Sequence, residues 1–175
     1  MSTIFFISDL HLGHGKEFIL NRLAPIKFSC AEEHDEYLVK QWNSVIRKRD
    51  SVYVLGDVAV NKRFLPILDR MKGDKQLLMG NHDMYRTEEY LKYFTRIRPS
   101  FKHKGFWLSH IPIHADSLRG IMNIHGHVHH NNVKDPRYIN CCVEALNGVP
   151  MSLDEAKELE KKYEESCGIR KQQQL

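Results

Sequence analysis

Five short apolar runs in this chain each lead into a loop with side chains that could bind metal ions or move protons, and those loops carry Asp9, His11, Asp57, Asn81, His110, His127 and His129. They combine imidazole nitrogens with carboxylate and carboxamide oxygens and include no thiolate. Such a set suits Mn2+, Fe2+, Ni2+ or Zn2+ better than the all-oxygen preference of Ca2+ or Mg2+. Seven ligands exceed what one tetrahedral ion takes, whereas two ions about 3.5–4 Å apart, sharing a bridging carboxylate, would use them all. Histidine is also abundant, at 11 in 175 residues. His125, His127, His129 and His130 crowd together but are interleaved with Gly126 and Val128 inside the chain, which excludes a tag.

The elements that must position these residues are legible as patterns. Apolar, β-prone runs at 3–7, 51–55, 76–79, 106–108, 122–124 and 138–143 predict strands. Helical spacing at 33–47, 64–71, 88–94 and 153–163 predicts helices, the last opened by a capping box of Ser152 and Glu155. Strands alternating with helices in the first half predict parallel βαβ units. The closer strands after Phe101 predict hairpins or a second sheet, so a two-sheet α/β sandwich accommodates both halves. In open α/β sheets ligands bind beyond the carboxyl ends of strands, so loops distant in sequence can converge there. Glycines beside Asp57, Asn81 and His127 allow close backbone approach.

Composition bounds the rest. A formal charge of +4, 42% hydrophobic and 27% charged residues describe one soluble domain, expected over 1–169 with a polar tail at 170–175. No run approaches the ~20 apolar residues of a membrane helix, and the apolar start is too short for a signal peptide. Cys30, Cys141, Cys142 and Cys167 lack CxxC spacing and read as reduced thiols of a cytoplasmic protein. The basic excess is spread along the chain and gives no nucleic-acid footprint, though it tolerates an anionic small substrate.

Taken in order, DxH at Asp9 and His11, GD at Gly56 and Asp57, GNHD at Gly80 to Asp83, the single His110 and GHxH at Gly126 to His129 resemble the five motifs of the calcineurin-like metallophosphoesterases. The likeness spans most of the chain and is closest to the small single-domain bacterial and phage members. It implies a four-layer α/β/β/α sandwich of two mixed sheets. It also implies two divalent ions, Mn2+ foremost, with Asp9, His11 and His129 on one, Asn81, His110 and His127 on the other, and Asp57 between. The reaction so implied is attack on a phosphate ester by a hydroxide between the ions. His82 would give a proton to the leaving group or stabilise transition-state charge, and Asp83 would hold the His82 ring.

The resemblance makes a small, nucleotide-like phosphodiester the leading substrate. A phosphomonoester or phosphoprotein is the runner-up, and a non-catalytic scaffold on the same fold stands outside the enzyme class. Nuclease action would call for a basic strip with interleaved aromatics, and Lys102, His103 and Lys104 form only a small run. His14 is a candidate substrate contact, or equally a turn-surface imidazole. Arg119 is a candidate phosphate contact, although a solvated loop arginine is the commoner case. His125 and His130 read as packing or surface residues, and His34, His103 and His114 have no motif support.

Overall fold

The computed structural model describes residues 2–168; the expected tail at 170–175 lies outside the described residues. Among the described residues, nine strands form two mixed sheets. In the first, β1 (Ile4–Ile7), β2 (Ser51–Val54), β3 (Asp74–Leu78) and β4 (Arg96–Arg98) run parallel, and β9 (Met151–Ser152) closes the β1 edge antiparallel. In the second, β5 (Phe101–His103) and β6 (Phe106–Ser109) form a hairpin, and β7 (Met122–His125) and β8 (Tyr138–Asn140) continue from β6 in parallel. The fold class is thus the α/β sandwich of two mixed sheets expected from the sequence.

The period-2 alternation of the strands divides their side chains between two cores. Phe5, Ile7, Val52, Val54 and Leu77 face one side of the first sheet. There they meet Leu38, Val39 and Trp42 of α2 (Ala31–Val45) and Leu65 and Leu68 of a 3-10 segment, Lys62–Arg70. Phe6, Tyr53, Leu55 and Leu78 face the other way, against Phe106, Leu108, Met122, Ile124 and Ile139 of the second sheet and Ala156 of α5 (Leu153–Ser166). Each such large side chain, fully buried, contributes roughly 1.5–3 kcal/mol. The chain after β8 stitches the sheets together: the Cys141 N–H donates to His125 O at 2.8 Å, and Cys141 O accepts from the Ser8 N–H at 2.8 Å.

Several local expectations are corrected. The helix expected at 64–71 is the 3-10 segment, because Pro66 has no N–H for an α-helical ladder. The helix expected at 88–94 is one turn, α3 (Thr87–Tyr90). Two further one-turn helices, α1 (Glu17–Leu20) and α4 (Ala115–Leu118), carry too little periodicity to be read from sequence. The strand expected at 138–143 stops at Asn140, whose side-chain oxygen accepts from the Cys142 N–H at 2.9 Å. The capping box of α5 is present: Ser152 Oγ accepts from the Glu155 N–H, and the Glu155 carboxylate accepts from the Ser152 N–H at 2.7 Å.

Candidate metal centre

Five strands, β1, β2, β3, β6 and β7, deliver the seven residues at their carboxyl ends, and the backbone there is contorted. Asp9, His11, Asp57, His127 and His129 all have positive φ, between 47° and 72°. This left-handed region costs a non-glycine residue roughly 1–3 kcal/mol and persists only where surroundings over-determine it. Here they do: the Asp9 N–H donates to Gly56 O and the His11 N–H to Asp57 O, both at 3.0 Å. Two glycines make the close approach possible. A Cβ on Gly80 would lie 2.2 Å from Asp57 Oδ1, and one on Gly126 1.9 Å from Ser8 Oγ and 2.6 Å from Asp9 Oδ2.

The ligand atoms converge. Asp9 Oδ1 lies 3.7 Å from both His11 Nε2 and His129 Nε2. Asp57 Oδ2 lies 3.7 Å from His11 Nε2 and 3.6 Å from His110 Nε2, midway between the two halves of the cage. Asn81 Oδ1 sits 2.8 Å from His110 Nε2 and 2.9 Å from His127 Nδ1. Asp9 Oδ1 and His11 Nε2 are buried with no hydrogen-bond partner, which is costly unless another group binds there. The donors therefore fit divalent ions, and Asp9, His11 and His129, like Asp9, Asp57 and His110, are grouped closely enough to hold one.

Neighbours fix the rings. His110 Nδ1 donates to Leu55 O at 2.7 Å and His129 Nδ1 to Glu144 Oε1 at 2.8 Å, turning each Nε2 lone pair inward. Burial raises the pKa of the Asp9 carboxyl. The His11 and Ser8 side chains, the His127 N–H and the charge of His110 outweigh that and hold it well below the carboxylate range. His129 is raised above the usual imidazole value, chiefly by its bond to Glu144.

His82 follows Asn81 with its side chain 65% exposed; its N–H donates to Asp57 Oδ1 at 2.9 Å and its Nε2 stands 4.0 Å from Asp57 Oδ2. Asp83 does not hold the His82 ring, contrary to expectation. Its buried carboxylate accepts from the N–H groups of Asp57 and Gly80 at 2.8 Å and of Val58 at 3.0 Å, clamping the β2 and β3 loops together. With the Tyr90 hydroxyl, which donates to Oδ1 at 3.4 Å, these donors occupy the carboxylate, and no bond joins it to the His82 ring. His14 lies beside the cage, its ring 6.1 Å from that of His11. Arg119 is the exposed, left-handed cap of α4, and no hydrogen bond or ion pair joins it to the seven candidate residues. His125 is buried and holds Gly126 O through Nδ1 at 2.9 Å, a packing role as expected.

Sequence reasoning missed the support beneath the cage. Arg22 is buried and donates through Nη1 to Asp9 O at 2.7 Å and through Nη2 to Leu10 O at 2.8 Å, bracing the strained β1 loop. Its guanidinium also meets Glu144 Oε1 at 3.3 Å and His34 Nε2, while His34 Nδ1 meets Asp35 Oδ1 at 3.1 Å and Asp35 Oδ2 accepts from the Gly13 N–H at 2.8 Å. Cys142 Sγ donates to Asp9 Oδ2 at 3.3 Å. Arg22 and Glu144 belong to no motif or periodic run, and the apolar periods that mark 33–47 and 138–143 say nothing of the polar contacts of His34, Asp35 and Cys142. Arg22→Met leaves two buried carbonyls unpaired and leaves the Glu144 carboxylate with His129 but without its guanidinium, so unfolding in urea should show a loss of about 3–5 kcal/mol with the slope against denaturant unchanged. A loss under about 1 kcal/mol would mean the guanidinium braces nothing.

A two-sheet α/β protein with a His and Asp cage at the carboxyl ends of its strands defines a class, the metal-dependent hydrolases of this sandwich type. More narrowly, the chain belongs to the calcineurin-like phosphoesterase family, whose sequence model matches residues 2–158. This family is divalent-metal dependent and hydrolyses phosphoesters. An uncharacterized protein of Methanocaldococcus jannaschii is 32% identical over 171 residues, covering 88% of this chain and 89% of its own. The Gene 66 protein of Mycobacterium phage D29 is 29% identical, covering 94% of this chain and 99% of its own. Among solved structures, a protein of unknown function from Aquifex aeolicus superposes with a TM-score of 0.70 at 28% identity, covering 91% of this chain and 100% of its own. A Pseudomonas putida nuclease superposes with a TM-score of 0.50 at 16% identity over 72% of this chain and 61% of its own, a likeness of fold alone.

Proposed function

We propose that this chain is a dinuclear metal-dependent phosphoesterase that hydrolyses diesters of small, nucleotide-like phosphates. The observation that carries the reading is Asp57 Oδ2, set 3.7 Å from His11 Nε2 in one half of the cage and 3.6 Å from His110 Nε2 in the other. That spacing supports a carboxylate shared by two ions. Bound there, Mn2+ or a similar pair would supply Lewis-acid charge to the phosphoryl oxygens and make water nucleophilic at neutral pH. Two carboxylates against two divalent ions leave the cage net positive, which favours a phosphate anion.

The chain's own residues supply the rest. His11, His110 and His129 present Nε2 and His127 presents Nδ1, with tautomers fixed by Leu55 O and Glu144 where those bonds exist. His82 stands exposed over Asp57, where its ring can hand a proton to the leaving oxygen. A thiol nucleophile finds no support at Cys142 beside the cage, where burial and the nearby Asp9 carboxylate push the thiol pKa up. The diester preference draws support from two clefts that flank the cage, one of 410 Å³ beside His82 and one of 720 Å³ beside Asn81 and His110, room for two organic arms. The four unpaired cysteines and the absence of a membrane-spanning helix among the described residues fit the cytoplasmic setting we propose.

The test compares bis-p-nitrophenyl phosphate with p-nitrophenyl phosphate after Mn2+ loading and again after chelation. Diester hydrolysis at least about ten-fold faster, lost on chelation, is the expected result. Monoester preference would replace the substrate class. No activity together with no retained metal would leave a scaffold.

A further inference from the structure

The smaller cleft has lining the phosphate chemistry does not use. Phe18 on α1 is 62% exposed, Met84 after the GNHD loop 83%, and Val60 after β2 45%, and all three line the 410 Å³ space that His11, His82 and His129 also line. Large apolar side chains displayed together beside a polar cage lose free energy to water unless something covers them. Aromatic rings lead from the cage to this wall: the His82 ring lies 5.8 Å from His11, His11 6.1 Å from His14, and His14 5.2 Å from Phe18, the last pair edge to face. The His14 ring thus stands between the cage and Phe18 as part of this wall. The larger cleft differs, since the guanidinium of Arg98 at its edge is already engaged, by Gln76 Oε1 at 2.9 Å and by the Phe101 ring at 4.9 Å.

We infer that Phe18 and Met84 form a base-binding wall, selecting phosphate esters whose organic group on the His82 side carries one flat aromatic ring, such as a nucleobase. This rests on the phosphoesterase reading and adds the group recognised. Three features argue for that occupant. The volume lies within the range of small-ligand sites and suits one nucleoside, not a strand or a peptide. Phe18 and His14 offer ring surfaces for stacking, and Met84 offers a flexible, polarisable thioether that adapts to a ring edge. His82 lines the cleft, so a group seated there lies beside the ring that would protonate its oxygen.

The test is calorimetric titration of the Mn2+-loaded protein with inorganic phosphate and with adenosine monophosphate, for the wild type and for Phe18→Ala combined with Met84→Ala. The wild type should bind the nucleotide about ten-fold or more tighter than phosphate, and the double variant should bring that ratio to within about two-fold. A ribose phosphate arm separates the ring from the sugar and should bind like phosphate. Equal affinity for all three ligands, or an unchanged ratio in the variant, overturns the wall while leaving the phosphoesterase reading intact. No phosphate binding and no hydrolysis would remove both. An oligothymidylate binding more than about ten-fold tighter than the mononucleotide would overturn the single-ring cleft in favour of a strand.

Discussion

Asp57→Asn should lower kcat/KM by about 10³-fold or more, some 4 kcal/mol of transition-state stabilisation, and cut the metal retained after gel filtration from two ions per chain to one or fewer. The substitution changes charge and little else. Asparagine keeps an oxygen where Asp57 Oδ1 accepts the His82 N–H at 2.9 Å, and it adds no volume against Gly80, whose position leaves no space for a Cβ. What is lost is the negative oxygen facing both His11 and His110. An amide offers one neutral oxygen and one nitrogen that cannot coordinate, so it cannot hold two cations together. Fold retention is checked by thermal unfolding of the metal-free protein, which should change little. Two ions per chain with near wild-type turnover would show that Asp57 does not bridge.

The depth of sequence legibility differs between the cage and its support. Asp9, His11, Asp57, Asn81, His110, His127 and His129 were readable because each follows an apolar strand, and the structure brings all seven together. The role of Asp83 was misread because adjacency to His82 in sequence is not adjacency of side chains: the turn sends Asp83 inward to three backbone N–H groups and leaves His82 outside. Arg22, His34 and Glu144 were invisible for another reason. They answer needs created by the tertiary fold, namely carbonyls left unpaired where Asp9 and its neighbours bend into the left-handed region. Such needs leave no periodicity in the chain. The one-turn helices α1 and α4 were missed because four residues cannot display a helical period.

His82→Ala should separate chemistry from metal binding. The ring is exposed and stands 4.0 Å from Asp57 Oδ2, outside the convergent ligand atoms, so its removal opens no cavity and removes no ligand. Stability should stay within about 0.5 kcal/mol and metal content should stay at two ions per chain. Turnover should nevertheless fall by about 10²–10⁴-fold, the usual worth of a positioned general acid. Leaving-group dependence then tells proton donation from simple charge stabilisation. p-Nitrophenolate departs well without a proton, whereas an alkoxide does not, so the variant should lose far more activity on alkyl esters than on p-nitrophenyl esters. Equal losses on both would make His82 an electrostatic stabiliser of the transition state, and an unchanged rate on both would remove it from the chemistry. Loss of metal in the variant would mean that the ring supports the cage after all, which its exposure and its distance from Asp57 argue against.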